Sequence, residues 1–423
     1  MLDIKFIREN LDLVKAGAQK KHLKVDLEKL LALDERRRAL LVEVEGMRAR
    51  QNAVSDKIPS AKEGEKAALL ADMKPLKTEL QKKEKELEEV MRAWQLLMVE
   101  VPNVPDPSVP EGESDADNKE IRAWGDIPKF SFTPKSHVEL MQELDIADFE
   151  RGTKAAGFRG YFLKGDGALL NFAIWRFVLD HFMQKGGFMP MLVPSLVKRV
   201  AFLGTGYLPQ GEEDLYKTQD GDFLAGTGEV ATMAYYMNET LKKEELPKKF
   251  LAFSPCFRRE AGSHGKDTKG IMRVHEFFKF EQVVLCEASH EESVRYHEEL
   301  TENAEELLQR LDIPYHVVLN CGGDLGLGQV KKYDIEAWVP SENKYRETHS
   351  SSYFHDFQTR RLNIRYRDDD GNLQYAHSLN NTALATPRIL ISILENNQQA
   401  DGSVVIPEAL RPYMGGKEKI ERV

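Results

Sequence analysis

Cysteine is scarce in this 423-residue chain. Cys256, Cys286 and Cys321 are the only three, and none lies in a Cys-x-x-Cys pair. An odd count argues against a disulfide framework. Reduced thiols fit a cytoplasmic compartment, and Cys256 and Cys286 are expected as small buried strand residues. No apolar run is long enough to span a bilayer and no basic-then-apolar leader opens the chain, so no membrane is expected among its partners. The Gly-x-x-x-x-Gly-Lys-Ser/Thr loop is missing, as is a Gly-x-Gly-x-x-Gly turn after a strand, which leaves a Rossmann-type nucleotide fold without support. No residue cluster has metal-ligand spacing, and zinc is not expected. A basic overall balance is lacking too: the formal net charge is −10, so any nucleic-acid surface must be local.

What is present is concentrated between Phe257 and Glu281. The segment 251–257 is apolar and aromatic, and 277–286 alternates with period two, so both are expected as strands. In an extended chain Arg258 and Glu260 share a face, as do Phe277, Lys279 and Glu281. Burying unpaired charge is costly, so a face carrying Arg and Glu at alternate positions is not built only for packing. Between the strands lies a glycine-rich basic loop, Ala261-Gly262-Ser263-His264-Gly265-Lys266-Asp267-Thr268-Lys269-Gly270, suited to a polyanion.

This arrangement resembles motif 2 of the class II aminoacyl-tRNA synthetases: an arginine and a glutamate two apart, a loop, then Arg-x-x-x-Phe-x-x-x-Glu. Those places hold Arg258, Glu260, Arg273, Phe277 and Glu281. With Pro255-Cys256-Phe257-Arg258-Arg259-Glu260-Ala261-Gly262 the resemblance narrows to the seryl-tRNA synthetase family, and it runs nearly end to end. It implies an α+β fold: a long antiparallel helical hairpin, then a class II catalytic domain with an antiparallel sheet flanked by helices.

The N-terminal region fits that plan. Residues 1–22 form a short helical entry. Leu30, Leu33, Arg37, Leu40, Val44, Met47, Gln51 and Val54 then recur at alternating steps of three and four. Leu69, Met73, Leu76, Leu80, Lys83, Leu87, Val90, Trp94 and Leu97 do the same. Both are heptad seams. Ile58-Pro59-Ser60 and Gly64 mark a turn between them, so a hairpin is expected, with an intermolecular coiled coil as the alternative. Pro75 should start or bend the second helix. Arg36, Arg38, Arg48 and Arg50 lie off the seam, free to meet phosphates or to form intrahelical pairs. The family's arm reaches the long variable arm of tRNA. A proline-dense stretch, 101–110, reads as a linker, and the domains are expected as 1–108 (tRNA-binding arm) and 109–423 (catalytic).

Further words follow. Residues 165–184 suggest a helix with Leu169, Leu170, Phe172, Ala173, Phe177 and Val178 along one side. Then comes Gly186-Gly187-Phe188-Met189-Pro190-Met191-Leu192-Val193-Pro194, which resembles motif 1, the class II dimer element. Ala225-Gly226-Thr227-Gly228-Glu229-Val230 resembles the family's Thr-Ala-Glu word with Gly228 in the alanine's place; by itself it could be a helix cap. Glu347-Thr348-His349-Ser350 resembles Glu-x-x-Ser, although a plain serine-rich loop would look the same. Ser378-Leu379-Asn380-Asn381-Thr382-Ala383-Leu384-Ala385-Thr386-Pro387-Arg388 resembles motif 3.

The resemblance implies catalytic roles for Arg258, Glu260, Glu347 and Arg388. It implies serine contacts from Thr227, Gly228, Glu229, Arg258, Glu281, Asn380 and Thr382. ATP contacts are implied from Arg258, Arg259, Glu260, Val274, Phe277, Glu347, Thr348, His349, Ser350 and Arg388, with Mg2+ held by Glu347 and Ser350. The expected partners are ATP, L-serine, tRNA(Ser) and, where present, tRNA(Sec), and a second copy of the chain in a homodimer formed through the catalytic domain. Which of Glu229 and Glu281 takes the serine hydroxyl is left open. The rival readings are a ligase for another amino acid, a ligase charging a carrier protein, and a non-catalytic RNA-binding paralogue.

Overall fold

The computed structural model describes residues 1–262, 265 and 267–422, and the chain forms two compact units. One holds Asp3–Gln19 and Leu23–Pro102. The other holds Met1–Leu2, Lys20–His22 and Asn103–Val423. Ser263, His264 and Lys266 of the basic loop lie outside the described residues.

The first unit is helical: α1 (Ile4–Glu9), α2 (Leu11–Lys20), α3 (Leu27–Lys57) and α4 (Glu63–Met98). Helices α3 and α4 have 31 and 36 residues, about 45–55 Å each at 1.5 Å per residue. A single 3-10 turn, Ile58–Ser60, begins the tip, and α3 and α4 pack along each other. Leu30, Leu40, Val44 and Leu80 are buried along the expected seam, and the other seam positions are half-buried. Two of its polar interruptions, Arg37 and Lys83, have partners. The Arg37 guanidinium sits 4.8 Å from the Trp94 ring centre, and Lys83 Nζ is 2.7 Å from Glu43.

Two expectations about the arm are corrected. Helix α4 starts at Glu63, so Gly64 is inside it, and Pro75 lies in the helix interior rather than at its start. Of the four off-seam arginines, two are engaged across the hairpin: Arg48 donates to Glu84 at 2.7 Å and Arg36 Nε to Glu86 at 2.9 Å. Opposite charges on adjacent helices meet more readily than a solvated guanidinium waits for a ligand. Arg38 and Arg50 stay exposed.

The second unit is built on an eight-stranded sheet. Its strands are β1 (Lys119–Trp124), β2 (Met189–Leu192), β3 (Lys248–Phe257), β4 (Glu276–Cys286), β5 (Tyr315–Leu319), β6 (Lys331–Val339), β7 (Lys344–His355) and β8 (His377–Thr386). The order is β1-β5-β6-β7-β8-β4-β3-β2, antiparallel except for the β2–β3 pair. The period-two pattern of β4 sorts its side chains. Phe280, Val284 and Cys286 enter the main core with Tyr296, Leu300 and Leu307 of α7 (His290–Arg310), while Val283 and Leu285 pack on the other face with Met233 and Phe250. Helix α7 is also held by polar bonds: Gln282 Nε2 donates to Leu300 O (2.9 Å), and Thr301 Oγ1 donates to Ser351 Oγ (3.0 Å). Helix α5 (Asp166–Lys185) buries Leu170, Ala173, Ile174, Phe177 and Val178, but Leu169 and Phe172 face outward.

The proline-dense stretch is not a free linker. The compact units divide at Pro102/Asn103, earlier than the expected 108. Asn103 Nδ2 donates to Gly328 O and Phe354 O at 3.1 and 2.8 Å, and Asp106 accepts from Tyr353 at 2.8 Å. Prolines remove donors, so the residues between them carry the attachment, through side chains and through the backbone N–H groups of Asn103 and Asp106, which donate to Leu327 O and Val330 O at 2.9 Å. Lys20–His22 belong to the same unit: Lys21 Nζ donates to the carbonyls of Gly326, Leu327 and Gln329 at 3.0, 3.1 and 2.5 Å.

Candidate active site

A cavity of about 440 Å³ opens on the face of β4, β7 and β8. From β4 come Phe277, Lys279 and Glu281, three alternate residues on one face. Arg258 and Glu260 also line it, but they stand beyond the end of β3, which stops at Phe257, and not within the strand as expected. Glu260 adopts φ +56° there, which turns the chain back towards Arg273. Arg273 Nη1 donates to Glu260 Oε2 at 2.7 Å. Burial pushes the Glu260 carboxyl up, but Arg273, Arg258 and Arg159 outweigh it and hold it below its ordinary value.

Two bulges bring the remaining side chains in. In the β6–β7 ladder Ile335 pairs with His349 and Glu336 with Glu347, so Thr348 is an extra residue. Residues three apart in a regular strand face opposite ways. The bulge reverses that parity, and Glu347 and Ser350 both line the cavity. The segment is therefore a strand and not a serine-rich loop. In the β4–β8 ladder Ala383 is the extra residue, which sets Thr382 directly opposite Glu281. Asn380 and Thr382 share the cavity wall, and Arg388, first residue of α9 (Arg388–Asn396), closes it. Arg388 Nη1 donates to Glu347 O at 2.8 Å and Nε to Met272 O at 3.2 Å, with the Glu347 carboxylate 3.7 Å away.

The cavity floor is buried and acidic. Glu229 and Glu281 are 2% and 3% exposed, and burial raises the carboxyl pKa of both. Lys279 is ion-paired with Glu281. Glu229 accepts from Tyr207 (3.0 Å) and Gln358 (2.6 Å). At the Glu347 wall the balance is opposite. Desolvation acts upward, but Arg388, Lys332, Arg258 and Arg273 hold that carboxyl low.

Arg258 lies with its guanidinium 5.1 Å from the Phe277 ring centre, and its Nε and Nη2 donate to Gly226 O at 3.3 Å. A Cβ on Gly226 would come within 3.2 Å of Arg258 Cγ and 3.3 Å of Phe257 O, so glycine suits that approach. Gly228 has no such need: its backbone is helical and a Cβ would meet ordinary contacts at 3.4–3.5 Å. Glu229 is the first residue of α6 (Glu229–Ala234), with its carboxylate turned to Tyr207 and Gln358 instead of capping the helix.

Of the sequence candidates, Thr227, Glu229, Arg258, Glu260, Val274, Phe277, Glu281, Glu347, Thr348, Ser350, Asn380, Thr382 and Arg388 meet around this cavity. Gly228 contributes backbone between Thr227 and Glu229. Arg259 points elsewhere, its Nη1 donating to Glu213 O at 3.0 Å. His349 lies in the sheet interior, Nδ1 2.8 Å from Thr348 Oγ1, and burial depresses its pKa to about 4. Sequence reasoning passed over Tyr207 and gave no site role to Gln358, although Gln358 stands in a further word that resembles the family, Phe357-Gln358-Thr359-Arg360-Arg361. Tyr207 is partly exposed and Gln358 buried, and each gains its role only when the fold brings it to a carboxylate.

The donor set of Glu347 and Ser350 fits a hard divalent cation: one half-exposed carboxylate and one hydroxyl, with room left for water and phosphate oxygens. Among the described residues, no group of three or more His, Cys, Asp or Glu is placed to hold a metal ion.

An antiparallel sheet with an arginine beyond one strand, a second arginine opening a helix and a pocket between them defines a class II aminoacyl-tRNA synthetase core. Residues 216–397 match the family model of the tRNA synthetase class II core domain (G, H, P, S and T). Residues 1–105 match the seryl-tRNA synthetase N-terminal domain. A serine–tRNA ligase of Deinococcus radiodurans is 48% identical over 99% of this chain and 98% of its own. The seryl-tRNA synthetase of Pyrococcus horikoshii complexed with ATP superposes with TM-score 0.91 at 40% identity, covering all of both chains. The cytoplasmic serine–tRNA ligase of Naegleria fowleri in complex with AMP gives 0.87 at 31% identity, over 100% of this chain and 99% of that one. The chain belongs to the seryl-tRNA synthetase family.

Proposed function

We propose that the chain activates L-serine with ATP and transfers it to tRNA(Ser). The observation that carries this is the floor of the cavity, where Glu281 faces Thr382 across a strand pair beside Thr227 and Glu229, beneath Arg258. Buried acceptors and hydroxyls suit a small amino acid with an ammonium and a hydroxyl.

In the first step the serine carboxylate attacks the α-phosphorus of ATP and pyrophosphate leaves. A carboxylate is ionised at neutral pH, so no general base is required, and placement and charge neutralisation carry the catalysis. Arg258 holds the α-phosphate and the serine carboxylate. Phe277 and Arg388 stack on either side of the adenine, because ring and guanidinium planes both suit a base, with Val274 and Glu260 at its edge. Glu347 and Ser350 would hold magnesium, which when bound offsets phosphate charge. Thr227, Glu229, Glu281 and Thr382 take the serine ammonium and hydroxyl, with Asn380 beside them. In the second step a ribose hydroxyl of the terminal tRNA adenosine attacks the seryl carbonyl and AMP leaves.

The helical hairpin serves as the tRNA-binding arm. A second copy of the chain covers the apolar surface of α5 and β2, where Leu169, Phe172, Met189 and Leu192 are exposed, Leu192 at 85%. An unpaired edge strand with such side chains is a surface that proteins normally cover. Three free thiols suit the cytoplasm, and among the described residues no helix is long and apolar enough to cross a membrane. ATP–pyrophosphate exchange measured across the amino acids tests the reading. Exchange should depend on serine, and exchange driven equally by threonine or proline would overturn it.

A further inference from the structure

Phe357-Gln358-Thr359-Arg360-Arg361 opens helix α8 (Phe357–Leu362), which follows β7. Gln358 is 1% exposed. Its Nε2 donates to Glu229 Oε1 at 2.6 Å and to Thr205 O at 3.2 Å, and its Oε1 accepts from Ser378 Oγ at 2.8 Å. Two acceptors on one side and a hydroxyl donor on the other fix which way the amide faces. Turned over, it would set its oxygen against a carboxylate and a carbonyl.

The two floor carboxylates differ in what neutralises them. Glu281 has Lys279 beside it. Glu229 is met by neutral donors, the Tyr207 hydroxyl and the Gln358 amide, and no ion pair reaches it among the described residues. The unmatched negative charge of the floor is therefore on Glu229, and an ammonium group supplies its complement.

We propose that Gln358 is a positioning residue for serine recognition: its amide, oriented by Ser378, holds the Glu229 carboxylate as the acceptor for the substrate ammonium. This rests on the serine-activating function given above. The other charged or titratable groups around Glu229 are Tyr207, following the helix Arg199–Thr205, Glu281 and Lys279 on β4, and Arg258 beyond β3. Burial already raises the Glu229 pKa, while the Gln358 and Tyr207 donors oppose that rise. Without the amide, the carboxyl keeps its proton to higher pH and loses its hold on the ammonium.

The test is serine- and ATP-dependent pyrophosphate exchange on the full chain, with the pH profile of kcat/KM for serine. In Gln358→Met, of similar size but without the bonds, KM for serine should rise about tenfold to a hundredfold. KM for ATP should stay within about twofold of the unaltered protein, and the acid limb should move to higher pH. Gln358→Glu, which would have to share a proton with Glu229, should move the limb further. Ser378→Ala frees the amide to turn and should shift both readouts the same way by less, in a protein that is less perturbed. A serine KM and an acid limb unchanged in Gln358→Met would overturn this inference alone. Equal rises in both KM values with a lowered melting temperature and an unmoved limb would overturn it too, in favour of a packing role. Absence of serine-dependent exchange in the unaltered protein would overturn it together with the function on which it rests.

Discussion

Glu281 of β4 and Thr382 of β8 stand directly opposite each other in the sheet, a pairing that exists because Ala383 is squeezed out of the ladder as a bulge. The pair gives the cavity floor a carboxylate and a hydroxyl at one level. A site built around a substrate hydroxyl rejects the analogue lacking it by about 10⁴–10⁵. Thr382→Val keeps the volume and removes the hydroxyl. Serine-dependent exchange should fall about 10–100-fold while alanine-dependent exchange stays low, so that discrimination narrows. Parallel assays with the two amino acids check this, and unchanged discrimination would remove Thr382 from the recognition of serine.

Arg258 is held by the Gly226 carbonyl and faces the cavity. Its charge should count most where negative charge grows during attack on phosphorus. Loss of one such donor costs about 10²–10³ in rate. Arg258→Ala should lower exchange by that much, with thermal unfolding close to that of the unaltered protein. Near-normal exchange by the folded variant would rule the role out.

The cavity residues all lie in the second unit, and so does Lys21, which holds the carbonyls of the cavity-lining residues Gly326, Leu327 and Gln329. Replacing residues 30–97 by a short flexible link keeps Lys21. Serine activation should persist largely intact, and charging of tRNA should drop sharply because the RNA is no longer positioned. Exchange, charging and sedimentation of this variant separate the arm's possible duties. Undiminished charging would mean that the hairpin is not the RNA-recognising element.

Arg38 and Arg50 are exposed on the hairpin, whereas Arg36 and Arg48 are bound to Glu86 and Glu84. Replacing the exposed pair with alanine should weaken tRNA binding at low salt and reduce the salt slope by about one for each phosphate no longer held. The same replacement at Arg36 and Arg48 should act mainly on hairpin unfolding. Binding titrations at several salt concentrations tell the two pairs apart, and identical salt slopes for all variants would exclude Arg38 and Arg50 as phosphate ligands.

His297 is buried against the Ser351 carbonyl, and burial depresses its pKa to about 3. In the unfolded chain histidine titrates near 6.5. Between those values the unfolded state binds the extra proton, so stability is lost as the pH falls below about 6.5. Glu229 and Glu281, raised by burial, act in the opposite sense, which makes a comparison between variants the cleaner measurement. From pH 6.5 to 5 the unaltered protein should lose about 1.5 kcal/mol more than His297→Gln. Urea unfolding at both pH values measures the difference, and equal losses would contradict it.

Much of this was legible before the fold was known. The strands on either side of the basic loop announced themselves through aromatic alternation, and the hairpin through a seam whose every position is at least half-buried. The site residues within motif words were found because the words are local. What escaped was non-local or cooperative. Gln358 and Tyr207 gain meaning only from Glu229. The engagement of Arg36 and Arg48 depends on which glutamates the second helix brings alongside. The stretch 101–110 looked like a linker because prolines rarely sit in packed elements, yet Asn103 and Asp106 tie it to β7 and its neighbours. Pro75 was expected to start or bend the second helix, and it does not start it, since tertiary pairing with α3 outweighs one missing donor.

The bulge at Thr348 sets an unusual rule for how this chain can change. Any single amino-acid exchange at that position alters one side chain. A register change that drew Thr348 into the ladder as an ordinary strand residue would leave Glu347 and Ser350 three apart in a regular strand, sending the hydroxyl and the carboxylate to opposite faces while every letter of the motif survived. Register, and not only identity, therefore decides whether this motif word can present both oxygens to the cavity.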